Sequence, residues 1–173
     1  MTVSTRPLPR DETVSDRMLV LGAAIIDPAV VARYRSKIIT VPGSECRWWT
    51  GALSGRGHGR FWVTGRHVII AHRFGFALEH GVDELAAADV LGHRCDNPLC
   101  QRIGSEHLVV SSPQENRREW GIRRGLAGSP LGDPRGPRER ARILRDLLRA
   151  DPNLVATELA QFRARYGEQL PLW

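Results

Sequence analysis

The sequence predicts an α+β fold: a small mixed core with helices added at both ends. Three observations carry that expectation. Short aromatic and β-branched runs punctuated by glycine occupy the middle of the chain, and stretches of helical period flank them. Two of the three cysteines and two of the six histidines crowd into "VLGHRCDNPLCQRIGSEHLVV", residues 90 to 110. At 173 residues there is room for one domain with a real core, but not for two ordinary enzyme domains.

Residues 1–12 alternate Pro7 and Pro9 with charge and show no apolar period, so a disordered leader is expected. Residues 13–45 are expected to be a helical segment. "SDRMLVLGAAI" and "DPAVVARYRSKII" carry apolar residues at helical spacing, and the break between them falls where Asp27 can cap and Pro28 can start a helix. From Cys46 the character changes: glycines at 51, 55, 57, 59 and 65 separate runs that predict strands near 47–50, 59–63 and 66–70. Ala71 to His80 then reads as a helix closed by Gly81.

"DVLGH" and "HLVV" are expected to pair antiparallel. Ser112, Pro113 and Glu115 form an N-cap, a first helical position and a capping-box partner, which places Asn116 one turn inside a helix beside that hairpin. "GLAGSPLGDPRGP", 125–137, is expected as a linker. The tail, 138–173, holds two helical stretches, "RERARILRDLLRA" and "PNLVATELAQFRARY", split at Asp151-Pro152. The chemistry-bearing core is thus 46–124.

Composition excludes several classes. The longest apolar stretch near the start, "MLVLGAAII", is about half of what a membrane span needs. No secretory signal pattern precedes it, so a cytoplasmic, reducing location and no membrane partner are expected. Three cysteines then argue against a disulfide framework. A net charge of +6 and a pI near 10.2 suit a polyanionic partner such as a nucleic acid, although many basic proteins merely stay soluble this way. All basic residues but Lys37 are arginine, the better fork for phosphate.

Cys95 and Cys100 flank "DNPL", a turn sequence in which Asp96 and Asn97 can bond their own backbone and Pro98 presets φ. Such a turn brings two thiols together. His107 follows at the head of the returning strand, and Cys46 is the one remaining cysteine. Cys46, Cys95, Cys100 and His107 therefore make a Cys3His set suited to a closed tetrahedral zinc site. Read alone, free cysteines are also small buried hydrophobes. His93, two residues before Cys95, either adds a ligand on the same face of an extended chain or stands outside the set as a general base near neutral pH; a lone histidine is more often structural.

The order His, Cys, Cys, His and then Asn on a following helix resembles the HNH nucleases, the ββα-metal or His-Me finger endonucleases. More narrowly, "HRCDNPLC…HL…EN" with the upstream "CRWWTG…GHGRF…AHR" is similar to the zinc-containing HNH type found in phages and related to His-Cys box homing endonucleases. The resemblance covers about 46 to 125. It implies a ββα-metal core with structural zinc, and metal-dependent hydrolysis of phosphodiester bonds in DNA. His93 matches the general base, Asn116 the ligand of a catalytic Mg2+, and Arg60 and Arg66 are candidates for the basic residue near the phosphate. Here the link "CQRIGSEHL" is longer than the family's and lacks its Asn-Pro. Asp89, four residues before His93, does not match a second acidic metal ligand.

Two other functional classes fit parts of the sequence. A zinc-stabilised DNA-binding module without cleavage needs only the arginine-rich segments and the paired tail helices, which could form a partial helix-turn-helix, and a third reading is a protein interaction module whose HNH core has lost activity. His93 and Asn116 argue against both, because neither is needed to bind zinc. Ile143, Leu144, Leu147 and Leu148 share one face of the tail helix, the pattern of a docking element or of a homodimer contact rather than of a groove reader.

Overall fold

The computed structural model describes residues 14–167, so the leader expected at 1–12 and the last residues of the tail lie outside the described residues. The described chain is mixed α+β, with seven α-helices and three small antiparallel sheets among those residues. No helix among them is long and apolar enough to cross a membrane.

Two helices open the chain, α1 (Val14–Ile26) and α2 (Pro28–Arg35). Asp27 separates them as expected: its side chain accepts from the amides of Ala29 and Val30, and Pro28 stands at the first helical position. Residues 38–40, expected to continue the helix, form a strand instead. This β1 (Ile38–Thr40) pairs antiparallel with β2 (Arg47–Trp49), matching Ile38 to Trp49 and Thr40 to Arg47. Pairing across the sheet outweighs the local helical period there.

The second sheet runs β3 (Ala52–Leu53), β4 (Gly59–Thr64), β5 (His67–Ile70). Along β4 alternate residues are buried, so Phe61 and Val63 face the core while Arg60, Trp62 and Thr64 face out. The helix α3 (Ala71–His80) ends at Gly81, whose φ of 94° favours glycine. A short helix not expected from the sequence, α4 (Val82–Ala87), then leads into the third sheet. That sheet pairs β6 (Val90–His93) with β7 (Leu108–Ser111), Val90 opposite Ser111 and His93 opposite Leu108.

Helix α5 (Pro113–Arg124) follows directly. The Ser112 hydroxyl accepts from the Glu115 amide at 3.1 Å, while the Glu115 carboxylate turns to the Ser111 hydroxyl at 3.2 Å and not to the cap backbone. A single 3-10 turn, Pro130–Gly132, interrupts the expected linker before α6 (Pro137–Ala150) and α7 (Pro152–Tyr166). The tail helices pack onto their own core. Ala141, Leu144, Leu148 and Val155 are buried, Ile143 and Leu147 are half-buried, and the Arg149 guanidinium donates to the Thr50 carbonyl at 2.7 Å. A Cβ on Gly57 would lie 2.8 Å from the Pro137 carbonyl, so the turn before β4 lies flat under the start of α6.

The core is aromatic. Phe61 and Phe74 are 4.7 Å apart, Tyr34 lies 4.9 Å from Phe74, and Trp49 meets Phe61 edge-on at 6.0 Å. The Tyr34 hydroxyl donates to the Gln101 side chain at 3.0 Å, which ties α2 to the cysteine turn.

Candidate metal centre and histidine cluster

The turn after β6 is built as its sequence suggests. The Asn97 side chain accepts from the Leu99 amide at 3.1 Å, and its carbonyl accepts from the Cys100 amide at 3.0 Å. Asp96 sits at φ 52°, a left-handed position that Asp tolerates better than most residues. This turn presents Cys95 and Cys100 together.

Cys46 arrives from the other side through backbone pairing. The Trp49 amide donates to the Leu99 carbonyl at 2.9 Å and the Gln101 amide to the Arg47 carbonyl at 2.7 Å, so β2 is laid against residues 99–101. His107 is delivered by the long link: its amide donates to the Gly104 carbonyl, the Leu108 amide to the Arg102 carbonyl, and its own carbonyl accepts from Arg94 at 2.7 Å. The link therefore closes as a loop of its own without the Asn-Pro.

One ligand atom from each of Cys46, Cys95, Cys100 and His107 falls in a group whose members all lie within 4.8 Å of one another. His107 Nδ1 is 3.8 Å from Cys46 Sγ and 3.6 Å from Cys100 Sγ. A tetrahedral zinc ion with ordinary bond lengths needs sulfur and nitrogen about 3.6 Å apart, so the donor set fits. His107 Nε2 is buried with no hydrogen bond, and Glu45 Oε2 stands 3.6 Å away, where a carboxylate would orient a ligating imidazole. Hydrogen bonds from the Cys100 and Cys95 thiols hold Cys46 far toward thiolate; the bonds to Cys100 and then to Cys46 push the Cys95 thiol up, and the bond to Cys46 raises Cys100 against the opposing bond to Cys95. Three thiols this close cannot all ionise until a cation joins them.

His93 ends β6 outside this set. Its ring is surrounded by two histidines that the sequence did not single out as site residues. His72, the second residue of α3 and only 5% exposed, places Nδ1 3.2 Å from His93 Nε2. His58, in the turn before β4, stacks on His93 with the planes 22° apart and the centroids at 5.7 Å. His93 Nδ1 is buried without a partner among the described residues. Burial, and after it the neighbouring His58, pushes His93 down to about 3. Burial likewise lowers His58 and His72. All three rings are therefore neutral near neutral pH. The only signal for His58 and His72 in the sequence is their place in "GHGRF" and "AHR".

Asn116 approaches from α5 against Gly92, the residue before His93. That helix has no buried residue, so polar contacts position it. Arg123 donates to Asp96 at 2.9 Å, to Glu119 at 2.9 Å and to the His93 carbonyl at 3.4 Å. Burial raises Asp96 against the opposing pull of Arg123.

None of His58, His72 and His93 lines the cleft that holds Arg60 and Arg66. That cleft, of about 570 Å³, is also lined by Arg17, His67, Arg73 and the strand β5. The Arg60 guanidinium lies 4.9 Å over the Trp62 ring, which is 48% exposed.

No family profile matches the chain. No solved structure matches it either. Among curated proteins the chain is similar to Protein 7.7 of Escherichia phage T7, with 33% identity over 75 residues, 43% of this chain and 54% of that protein. The chain spans about half the length of that relative.

Proposed function

We propose that this chain is a metal-dependent endonuclease that hydrolyses phosphodiester bonds in double-stranded DNA on a zinc-stapled ββα-metal core. One observation carries the reading: His93 ends a strand whose preceding residue, Gly92, is in contact with Asn116 from the next helix. Zinc held by Cys46, Cys95, Cys100 and His107 supplies folding energy to a hairpin and helix with few buried apolar side chains.

In this reading His93 takes a proton from the water that attacks phosphorus, the bond from phosphorus to the 3′ oxygen breaks, and that oxygen is protonated by solvent. Asn116 would hold the magnesium ion, which when bound neutralises phosphate oxygens and the charge growing on the leaving oxygen. Arg60 and Arg66 are the candidates for the basic residue near the phosphate, and both line the same cleft beside β5.

A zinc-stabilised DNA-binding module is the second reading. It is favoured by one feature: His93 Nδ1 is buried and Nε2 is engaged by His72, so neither ring nitrogen stands in solvent. Nicking of supercoiled plasmid by the purified chain decides between them. Cleavage should need Mg2+ and should fall about 10²- to 10⁴-fold in His93→Ala with zinc content unchanged. A chain that binds duplex and cuts with neither Mg2+ nor Mn2+ overturns the nuclease reading.

A further inference from the structure

We infer that His72 is a positioning residue for His93: it accepts the Nε2 proton of His93 and so holds that imidazole in the tautomer whose Nδ1 lone pair is free. The bond is 3.2 Å long between His93 Nε2 and His72 Nδ1, with the two ring planes at 89°. In a pair of neutral imidazoles one nitrogen must donate and the other accept. The surroundings decide which.

His93 Nδ1 is buried and meets no acceptor among the described residues. A proton there would be an orphaned buried donor, whereas a proton on Nε2 is used in the bond to His72. His72 is the second residue of α3, where the positive end of the helix disfavours an imidazolium that would have two donors and no lone pair to offer. His58, stacked on His93 and edge-on to His72 at 5.4 Å, closes the cluster from a third element. Burial keeps His72 neutral, as the bond requires.

The tautomer assignment stands on this geometry alone; its consequence for turnover rests on the nuclease reading. If His93 is the base, Nδ1 is the atom that takes the proton, and His72 acts only by keeping that nitrogen bare. The test uses the full zinc-loaded chain, labelled with 15N. Correlation of the imidazole nitrogens with the ring carbon-bound protons identifies the protonated nitrogen of His93 at neutral pH. Wild type should carry the proton on Nε2. His72→Leu, which offers no acceptor, should shift His93 toward the Nδ1 proton, and His72→Asn, whose carboxamide oxygen lies near the place of Nδ1, should restore the wild-type pattern.

A wild-type His93 protonated on Nδ1 overturns the proposal even if no variant folds, and so does a His72→Leu pattern identical to wild type. In plasmid nicking, kcat should fall about ten- to a hundredfold in His72→Leu with KM and zinc content unchanged, and His72→Asn should recover most of it. Equal losses in both variants would overturn the positioning role. A wild type that never nicks would sink the nuclease reading, and the nitrogen spectra would still decide the tautomer.

Discussion

Gly92 and Asn116 are in direct contact: a Cβ built on Gly92 would stand 2.7 Å from the Asn116 carboxamide oxygen. The absence of a side chain at 92 is what lets the carboxamide lie against the strand one residue before His93.

Gly92→Ala should therefore disturb Asn116 more than the fold. The clashing atom is the end of a side chain on an exposed helix, so it swings away. Losing a strand glycine returns about 0.5–1 kcal/mol of backbone entropy, which offsets part of the clash. We expect a melting temperature close to wild type, full zinc content, and a raised Mg2+ requirement for nicking that matches Asn116→Ala. A large drop in melting temperature with an unchanged Mg2+ titration would disprove this account of the contact.

The zinc set makes a sharper demand on Cys46, which reaches the cluster through the pairing of β2 with residues 99–101. Elemental analysis should find about one zinc per chain. Cys46→Ser should lower that content and cost more than about 3 kcal/mol, a fall of about 6–12 °C in melting temperature for a chain of this size. Strong chelators should do the same to wild type. A Cys46→Ser chain that keeps its zinc and its melting curve would remove Cys46 from the set.

Much of this site was legible because its signals are local. Asp27 and Ser112 cap where their side chains predict, and the pairing of 90–93 with 108–111 follows from two apolar runs around a turn. Cys46 carries no local signal beyond being the remaining cysteine, and only the register of β2 explains how it gets there. The strand Ile38–Thr40 was hidden because its isoleucines continue the helical period of α2, while its partner lies beyond the turn. His58 and His72 were invisible as site residues for a related reason: each is a lone histidine in sequence, and their meaning appears when a turn, a helix and a strand converge. The seat of α5 was equally hidden, since a helix that buries nothing gives no apolar pattern to read.

Arg123 is what seats it. The guanidinium bridges Asp96, Glu119 and the His93 carbonyl, and the Asp96 side chain is only 10% exposed. Arg123→Ala leaves that carboxylate without its partner, at a cost of about 1–3 kcal/mol. Hydrogen exchange should speed up across 113–124 and stay slow in α3. Asp96→Asn added to Arg123→Ala should recover part of the stability, because no buried charge is then stranded. Uniform loss of protection over the whole chain would contradict a local role.

Acid should loosen the histidine cluster. His72 is buried and faces His58, His93 and Arg73, and its folded value lies well below that of the unfolded chain. Below about pH 6.5 the unfolded chain takes up a proton at His72 that the native chain refuses. Stability from this group is therefore complete above about 6.5 and falls by about 1.4 kcal/mol for each further pH unit of acidification. Melting temperatures from pH 8 to 5.5, with zinc content followed in parallel, should decline more steeply for wild type than for His72→Asn. Parallel curves would show that His72 is protonated as readily in the native chain.

The last expectation concerns the outer face of β4. Arg60 stacks on Trp62 in the open, and with Arg66 and Arg73 it lines one cleft. If this face meets duplex DNA through phosphates, as the proposed function requires, affinity should fall steeply with salt, with a slope of about 0.9 per phosphate neutralised. Arg60→Ala and Arg66→Ala should each weaken binding about equally for unrelated sequences and flatten the slope by about one contact. Zinc content and melting temperature should stay at wild type, because both side chains project to solvent. Trp62→Ala should weaken binding through the lost platform for Arg60 and leave the slope nearly unchanged, since no charge is removed. If binding is insensitive to salt, or if neither arginine variant changes the slope, this face is not the DNA contact and the ligand of the cleft is neutral or a protein.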